Sequence, residues 1–318
     1  MEIFNPNSNI NFLGMRKVSI GLAILLIVAS VALIAVRGLN YGLDFTGGIS
    51  IVADYQQPVA ISDVRQALNK IGIENPTVTS LGGTREVSIR LQPTGAMLDE
   101  KGKVNLDRVV SVVAPALQAS RQDASIKSRD YVGSQVGDEL RSDGIIAVIM
   151  VITGIMIYLW IRFEWRFAVA ALVTEVHDAL VTVGVFALTQ REFDLTVLAS
   201  VLAVVGYSIN DKVVVFDRIR ELFRLARKAE PEEVLNRSIN STLSRTIITS
   251  TFTGITMAAL YFFGGPVVHG FAITMLIGIV VGTLSSIFIA SPILLWLGVS
   301  KKDLMPKTRE NPELARRP

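Results

Sequence analysis

The stretch LTVLASVLAVVGYSINDKVVVF, Leu195 to Phe216, decides how this chain is read. It has the length and apolar density of a helix that crosses a hydrocarbon core about 30 Å thick, at about 1.5 Å per residue. Its second half nevertheless carries Ser208, Asn210, Asp211 and Lys212. A charge at the bilayer centre costs at least about 2.5–3.5 kcal/mol on insertion scales, so ionisable residues in such a helix call for a function. The reading that follows is an integral membrane protein with working charges inside its bundle.

Composition agrees. Of 318 residues, 50% are hydrophobic and 19% charged, which excludes a disordered chain and an ordinary water-soluble globule. There is no cysteine, hence no disulfide, thiolate metal site or cysteine nucleophile. Two histidines and no HExxH leave no zinc centre to expect, and no other metal or cofactor is expected. No P-loop and no serine–histidine–aspartate set is present. An intramembrane aspartyl protease needs Gly-x-Gly-Asp, whereas Asp211 follows Ser-Ile-Asn. The chain is not expected to be an enzyme or to bind nucleic acid.

Outward from Leu195–Phe216, further apolar runs cover Val18–Val36, Gly144–Ile161, Phe167–Leu188, Thr246–Phe263 and about 267–297. The first resembles a signal peptide in its basic start, but its 19 uncharged residues and the absence of a small-x-small site after Val36 favour a retained helix. The last is longer than a span needs, which predicts an interfacial first turn or a tilt. The expectation is an α-helical polytopic membrane protein of six transmembrane helices, one and then five.

Between the first two spans, residues 38–143 read as an α+β outer domain. Gly48–Tyr55, Asn75–Leu81, Glu86–Pro93 and Ser125–Val132 read as strands, with Gly82-Gly83 as a turn. Ile61–Ile71 and Val104–Gln118 read as helices. The order β-α-β-β-α-β predicts a ferredoxin-like, split βαβ fold. The organisation is then 1–37 (N-terminus and first helix), 38–143 (extracytoplasmic domain), 144–300 (helices two to six) and 301–318 (basic tail).

Lysine and arginine set the orientation. Arg16, Lys17, the 162–166 and 217–245 loops and the tail after Ser300 hold 17 of them, while the short loops opposite hold only Arg191. Both termini are expected in the cytoplasm and the folded domain outside.

The third span contains Thr174-Glu-Val-His-Asp178, in which Glu175 and Asp178 share a face. Ser208 shares Asp211's face, and Arg245 opens the fifth span. By helical rise Asp211 lies about 24 Å from the outer end of its span and Arg245 about 27 Å, the same layer. Glu175 and Asp178 lie about 21 and 17 Å deep. Two readings stand side by side: Lys212 and Arg245 snorkel to the headgroups and the acids neutralise them, or Asp211, with Glu175, His177, Asp178 and Asn210 near it, forms a functional ladder. Gly278-Ile-Val-Val-Gly282, continued by Ser286, makes a small-residue stripe that admits a closely packed helix from this chain or another. Leu235, Ile239, Leu243 and Ile247 behind Pro231 repeat every four residues, predicting a helix lying on the inner membrane face.

Together these motifs carry a resemblance over nearly the whole chain. Gly42-Leu-Asp-Phe-Thr-Gly-Gly48, Val205-Gly-Tyr-Ser-Ile-Asn-Asp-Lys-Val-Val-Val-Phe-Asp-Arg-Ile-Arg-Glu221, His177-Asp178, Ser244-Arg-Thr-Ile-Ile-Thr-Ser250 and Phe263-Gly-Gly-Pro266 resemble the SecD/SecF family of protein-export membrane proteins, within the resistance–nodulation–division superfamily. The resemblance implies the smaller half of a two-part bundle in the bacterial inner membrane, with SecD as the other half. It further implies the SecYEG channel, a translocating preprotein and membrane lipids as partners, and the proton-motive force as driver. The family's proton-relay aspartate and arginine fall on Asp211 and Arg245. Lys212 departs from the Ser or Thr usual there; a relay then requires Lys212 to point away from Asp211, which neighbouring helical residues about 100° apart permit. Asp44, Phe45, Thr46, Gly47 and Gly48 suit a tight turn joining membrane helix to outer domain, with preprotein contact as the other role. The competing functions are a small-molecule or lipid exporter of the same superfamily, and a non-motor assembly factor.

Overall fold

The computed structural model describes residues 9–73, 76–80, 84–100, 102–225 and 229–300. The tail expected at 301–318 and the Gly82-Gly83 turn lie outside the described residues, as do both ends of the expected Asn75–Leu81 strand.

Helix α1 (Arg16–Arg37) follows a single 3₁₀ turn and ends at Gly38. The chain then forms β1 (Asn40–Tyr41), the one-turn α2 (Leu43–Thr46), β2 (Gly48–Asp54), α3 (Ile61–Lys70), β3 (Thr77–Ser80), β4 (Glu86–Leu91), α4 (Leu106–Ser120) and β5 (Ser125–Val132). Strands β3-β4-β2-β5 make one antiparallel sheet in that order. Alternation places Ile49, Ile51 and Ala53 of β2 and Val87, Ile89 and Leu91 of β4 on one face. Val64 and Leu68 of α3 and Val109, Val113 and Leu117 of α4 close over them. Asn105 caps α4 by accepting the N–H groups of Asp107 and Arg108.

The membrane region comprises α5 (Ser134–Arg162), α6 (Trp165–Thr189), β6 (Glu192–Phe193), α7 (Leu195–Leu225), α8 (Pro231–Phe263), α9 (Pro266–Ser285), a π turn (Ser286–Ala290) and α10 (Ser291–Trp296). Among the described residues six helical stretches are long and apolar enough to cross a membrane, making this a multi-pass membrane protein. Helices α6, α7 and α9 form its inside, whereas α1, α5 and α8 leave most of their surface uncovered.

One expectation needs correcting and two gain detail. Helix α5 starts at Ser134, before the apolar run that opens at Gly144. The last apolar run is divided by a π turn whose wider winding takes up part of its length. The Leu235–Leu243 stripe does not lie on the membrane face. Residues 231–263 are one rod, and Leu235, Ile239 and Leu243 are buried against Phe163, Phe216 and Ile219 of this chain. The chain beginning at Asn9 is strapped to the same rod. Asn240 accepts the Ile10 N–H and donates to its carbonyl, and Asn236 accepts the Phe12 N–H at 2.9 Å.

Outer domain and bundle are joined by more than the chain. Strand β1 pairs in parallel with β6, the link between α6 and α7. Gly47 has φ +63°, and a Cβ there would lie 2.8 Å from Ser134 Cα, so the motif's first turn sits directly on the start of α5. The expected turn is thus a one-turn helix bracketed by glycines.

Candidate functional site

Helix α6 turns Thr174, Glu175, His177, Asp178 and Thr182 into the bundle, and α7 turns Ser208, Asp211 and Lys212 inward. Lys212 is fully buried, with 0% exposure, which excludes the snorkelling reading for this residue. Its Nζ spends three donors on Glu175 Oε1 at 2.7 Å, Asp178 Oδ2 at 2.8 Å and Ser208 Oγ at 2.7 Å. Asp178 Oδ2 also accepts the Ser208 and Ser285 hydroxyls, each at 2.7 Å. Its Oδ1 lies 2.9 Å from His177 Nδ1, and the other ring nitrogen, Nε2, is buried without a partner among the described residues. An ammonium removed from water needs this density of partners, because an unmatched buried charge costs several kcal/mol. The cluster therefore ties α6 to α7 by charge and α9 to both through the Ser285 hydroxyl.

Asp211 is the adjacent residue and points elsewhere. The groups acting on it besides Lys212 are Arg245, Ser250 and Thr249, all of α8. Among the described residues no ion pair joins Asp211 to Arg245, whose side chain is exposed on this single chain. Asn210 is likewise exposed and stands apart from the cluster. Lys212 Nζ is committed to Glu175, Asp178 and Ser208, while its charge still acts on Asp211 more strongly than that of Arg245.

The small-residue stripe meets α7. A Cβ on Gly282 would lie 2.6 Å from Ser208 Oγ, and one on Gly278 would collide with Val204. Small residues here let α9 approach closely enough for Ser285 to reach Asp178. Ser286 opens the π turn and donates to the Thr283 carbonyl at 2.9 Å.

At the end of the bundle next to the α+β domain, Asp44 Oδ2 accepts the Leu195 N–H at 3.0 Å and Asp194 Oδ1 the Val197 N–H at 2.7 Å, so two carboxylates serve the first turn of α7. Phe45 stacks on Phe193 with centroids 6.2 Å apart, beside Phe186. Thr46 Oγ1 closes the one-turn helix on the Gly42 carbonyl at 3.0 Å. Gly48 begins β2 opposite Val132. Burial holds the Glu192 carboxyl above the usual carboxylate range, against the pull of Arg90 at 3.8 Å. Burial raises Asp194 in the same way.

Reasoning from sequence located the acids but not the hub. Lys212 is offered by the sequence only as a snorkelling cation or one turned from Asp211, and Ser285 is not singled out, although a cation one turn after Ser208, about 25 Å deep, is a signal for a bridge to Glu175 and Asp178.

Fold and site define a polytopic membrane protein whose bundle encloses an ionic cluster and carries an α+β domain at one end. Residues 112–300 match the family described as protein export membrane protein SecD/SecF, C-terminal, and residues 32–59 match the SecD/SecF GG motif. The chain is 44% identical to protein translocase subunit SecF of Pseudomonas aeruginosa, covering 93% of this chain and 94% of the relative. It is 41% identical to that of Vibrio alginolyticus, covering 96% and 95%. It superposes on the crystal structure of SecDF, a translocon-associated membrane protein from Thermus thermophilus, with TM-score 0.82 and 34% identity over 93% of this chain. Against SecDF in a super-membrane-facing form the TM-score is 0.66. The chain spans 39% of the SecDF length. This protein belongs to the SecD/SecF family, on the side of the SecF translocase subunits.

Proposed function

We propose that the chain uses the proton-motive force to complete preprotein translocation in the bacterial inner membrane, working with a SecD partner beside the SecYEG channel. The carrying observation is the divergence of Asp211 and Lys212 on one turn of α7. Lys212 is locked into α6, while Asp211 faces the hydroxyls and guanidinium of α8. Asp211 is the proton carrier, and Arg245 its counter-charge in the state that brings the two together. Protonation removes that attraction and shifts α7 against α8.

The outer domain is the moving part. Its strand order β3-β4-β2-β5 supports a ferredoxin-like fold, and Asp44 links it to the first turn of α7. Both termini face the cytoplasm, as the lysine and arginine distribution supports. Its energetics are adequate. A proton crossing about 200 mV releases about 4.6 kcal/mol, and a 1:99 to 99:1 shift needs about 5.5 kcal/mol, so one proton falls just short of a full shift and two per cycle suffice.

The test is Asp211→Asn, inserted and assembled normally. Proton-driven export is expected to fall to the level seen without a gradient; undiminished export removes the relay.

A further inference from the structure

Lys212 is one cation facing two carboxylates, and the two are not equivalent. Asp178 is saturated: Oδ1 has His177, and Oδ2 has Ser208, Lys212 and Ser285. Glu175 has only the Lys212 contact at Oε1, while its Oε2 is buried with no hydrogen-bond partner. Glu175 also lines a cavity of about 30 Å³ closed by Ile152, Ile155, Met156 and Leu159 of α5 and by Leu172 and Val205. Its wall is apolar, so it gives the carboxylate no compensating partner.

Charge counting completes the picture. With His177 neutral, Asp178 and Lys212 cancel, so an ionised Glu175 leaves the buried cluster one negative charge in excess. A carboxyl relieves such an excess by taking a proton, since an uncompensated buried charge is the costlier alternative. His177 is the other titratable group of the cluster and sits on Asp178, not on Glu175; among the described residues no further charge acts on Glu175 from the neighbouring elements. On α5 the cavity wall is apolar, α9 offers the Ser285 hydroxyl, and Asp211 of α7 is turned to α8.

We infer that Glu175 is a second proton-binding site of this chain, with Lys212 and Asp178 as its fixed counter-pair. The inference deepens the ion-coupled reading above and rests on it for its purpose, but the site is separate from Asp211. Glu175 takes up H⁺ on Oε2, taking the cluster from one net negative charge to none, and keeps Oε1 on the Lys212 ammonium. Uptake therefore changes the charge between α6 and α7 without breaking their bridge.

Infrared difference spectroscopy of the full chain in lipid vesicles, across a pH step in H₂O and in D₂O, reads the proton directly. Alongside the bands of Asp211 and the exposed carboxyls, the wild type is expected to show one separate protonated-carboxyl C=O component from Glu175 that shifts in D₂O. Glu175→Gln, which keeps the contact to Lys212, removes it, and Asp211→Asn retains it. Asp178→Asn removes it by another route, because Lys212 then balances Glu175 alone and the carboxyl ionises. Absence of that component from the wild type, its survival in Glu175→Gln or in Asp178→Asn, or its loss in Asp211→Asn overturns the inference. The component is read without export, so this result stands apart from the export test of Asp211.

Discussion

Asp44 accepts the Leu195 N–H at 3.0 Å, so a side chain at the root of the outer domain caps a membrane-spanning helix that lies 151 residues further along the chain. A cap is ordinarily local. Here it fixes the relative position of two regions, with β1 and β6 paired beside it.

Asp44→Ala is expected to cost about 1 kcal/mol, the usual loss for an N-cap, and Asp44→Asn far less because the amide oxygen still accepts. Thermal unfolding in detergent checks both. A disulfide engineered across β1 and β6 is expected to reduce the difference between the variants.

Gly47→Ala combines an unfavourable φ with a collision against the Ser134 backbone, which cannot move aside as a side chain can. Left-handed strain alone costs about 1–3 kcal/mol, and the backbone clash adds to it. Reduced thermal stability and faster proteolysis between outer domain and α5 are the readouts.

Lys212→Met leaves two buried carboxyls around a lost ammonium. Breaking a buried ion pair from one side costs about 3–5 kcal/mol. The double change Lys212→Met with Asp178→Asn is expected to regain much of that loss, measured by unfolding of both variants in matched lipid–detergent mixtures.

Glu192 supplies a pH dependence outside the membrane. Its carboxyl is held above its unfolded value by burial, so its contribution to stability is full below the unfolded value and is lost as pH rises through the raised one. Glu192→Gln is expected to flatten the decline of melting temperature with rising pH and to leave the acid limb unchanged.

Much of this was legible from periodicity. Six apolar runs marked the spans, and alternation in Gly48–Tyr55 and Glu86–Pro93 marked strands that pair in register Ile51 to Ile89. The three-residue step from Glu175 to Asp178 put both on one face, where both are buried. What resisted reading was which helix each face meets. Lys212 could snorkel or bridge on the same sequence, and the outcome depends on α6 lying within reach of its four-carbon stem. The Leu235–Leu243 stripe has the spacing of a surface-lying helix and of a packed one alike; the partner, Phe216 and its neighbours, decides. Gly278 and Gly282 announced a close contact without naming Val204 and Ser208.

Helix α8 runs unbroken from Pro231 to Phe263, 33 residues. At about 1.5 Å per residue it is about 50 Å long, roughly 20 Å more than the hydrocarbon it traverses. Such a shaft cannot lean within the lipid without swinging its projecting stub, and the leading peptide from Asn9 to Phe12 is lashed to that stub through Asn236 and Asn240. Any tilt of this shaft would therefore carry that peptide with it, as a lever carries its handle.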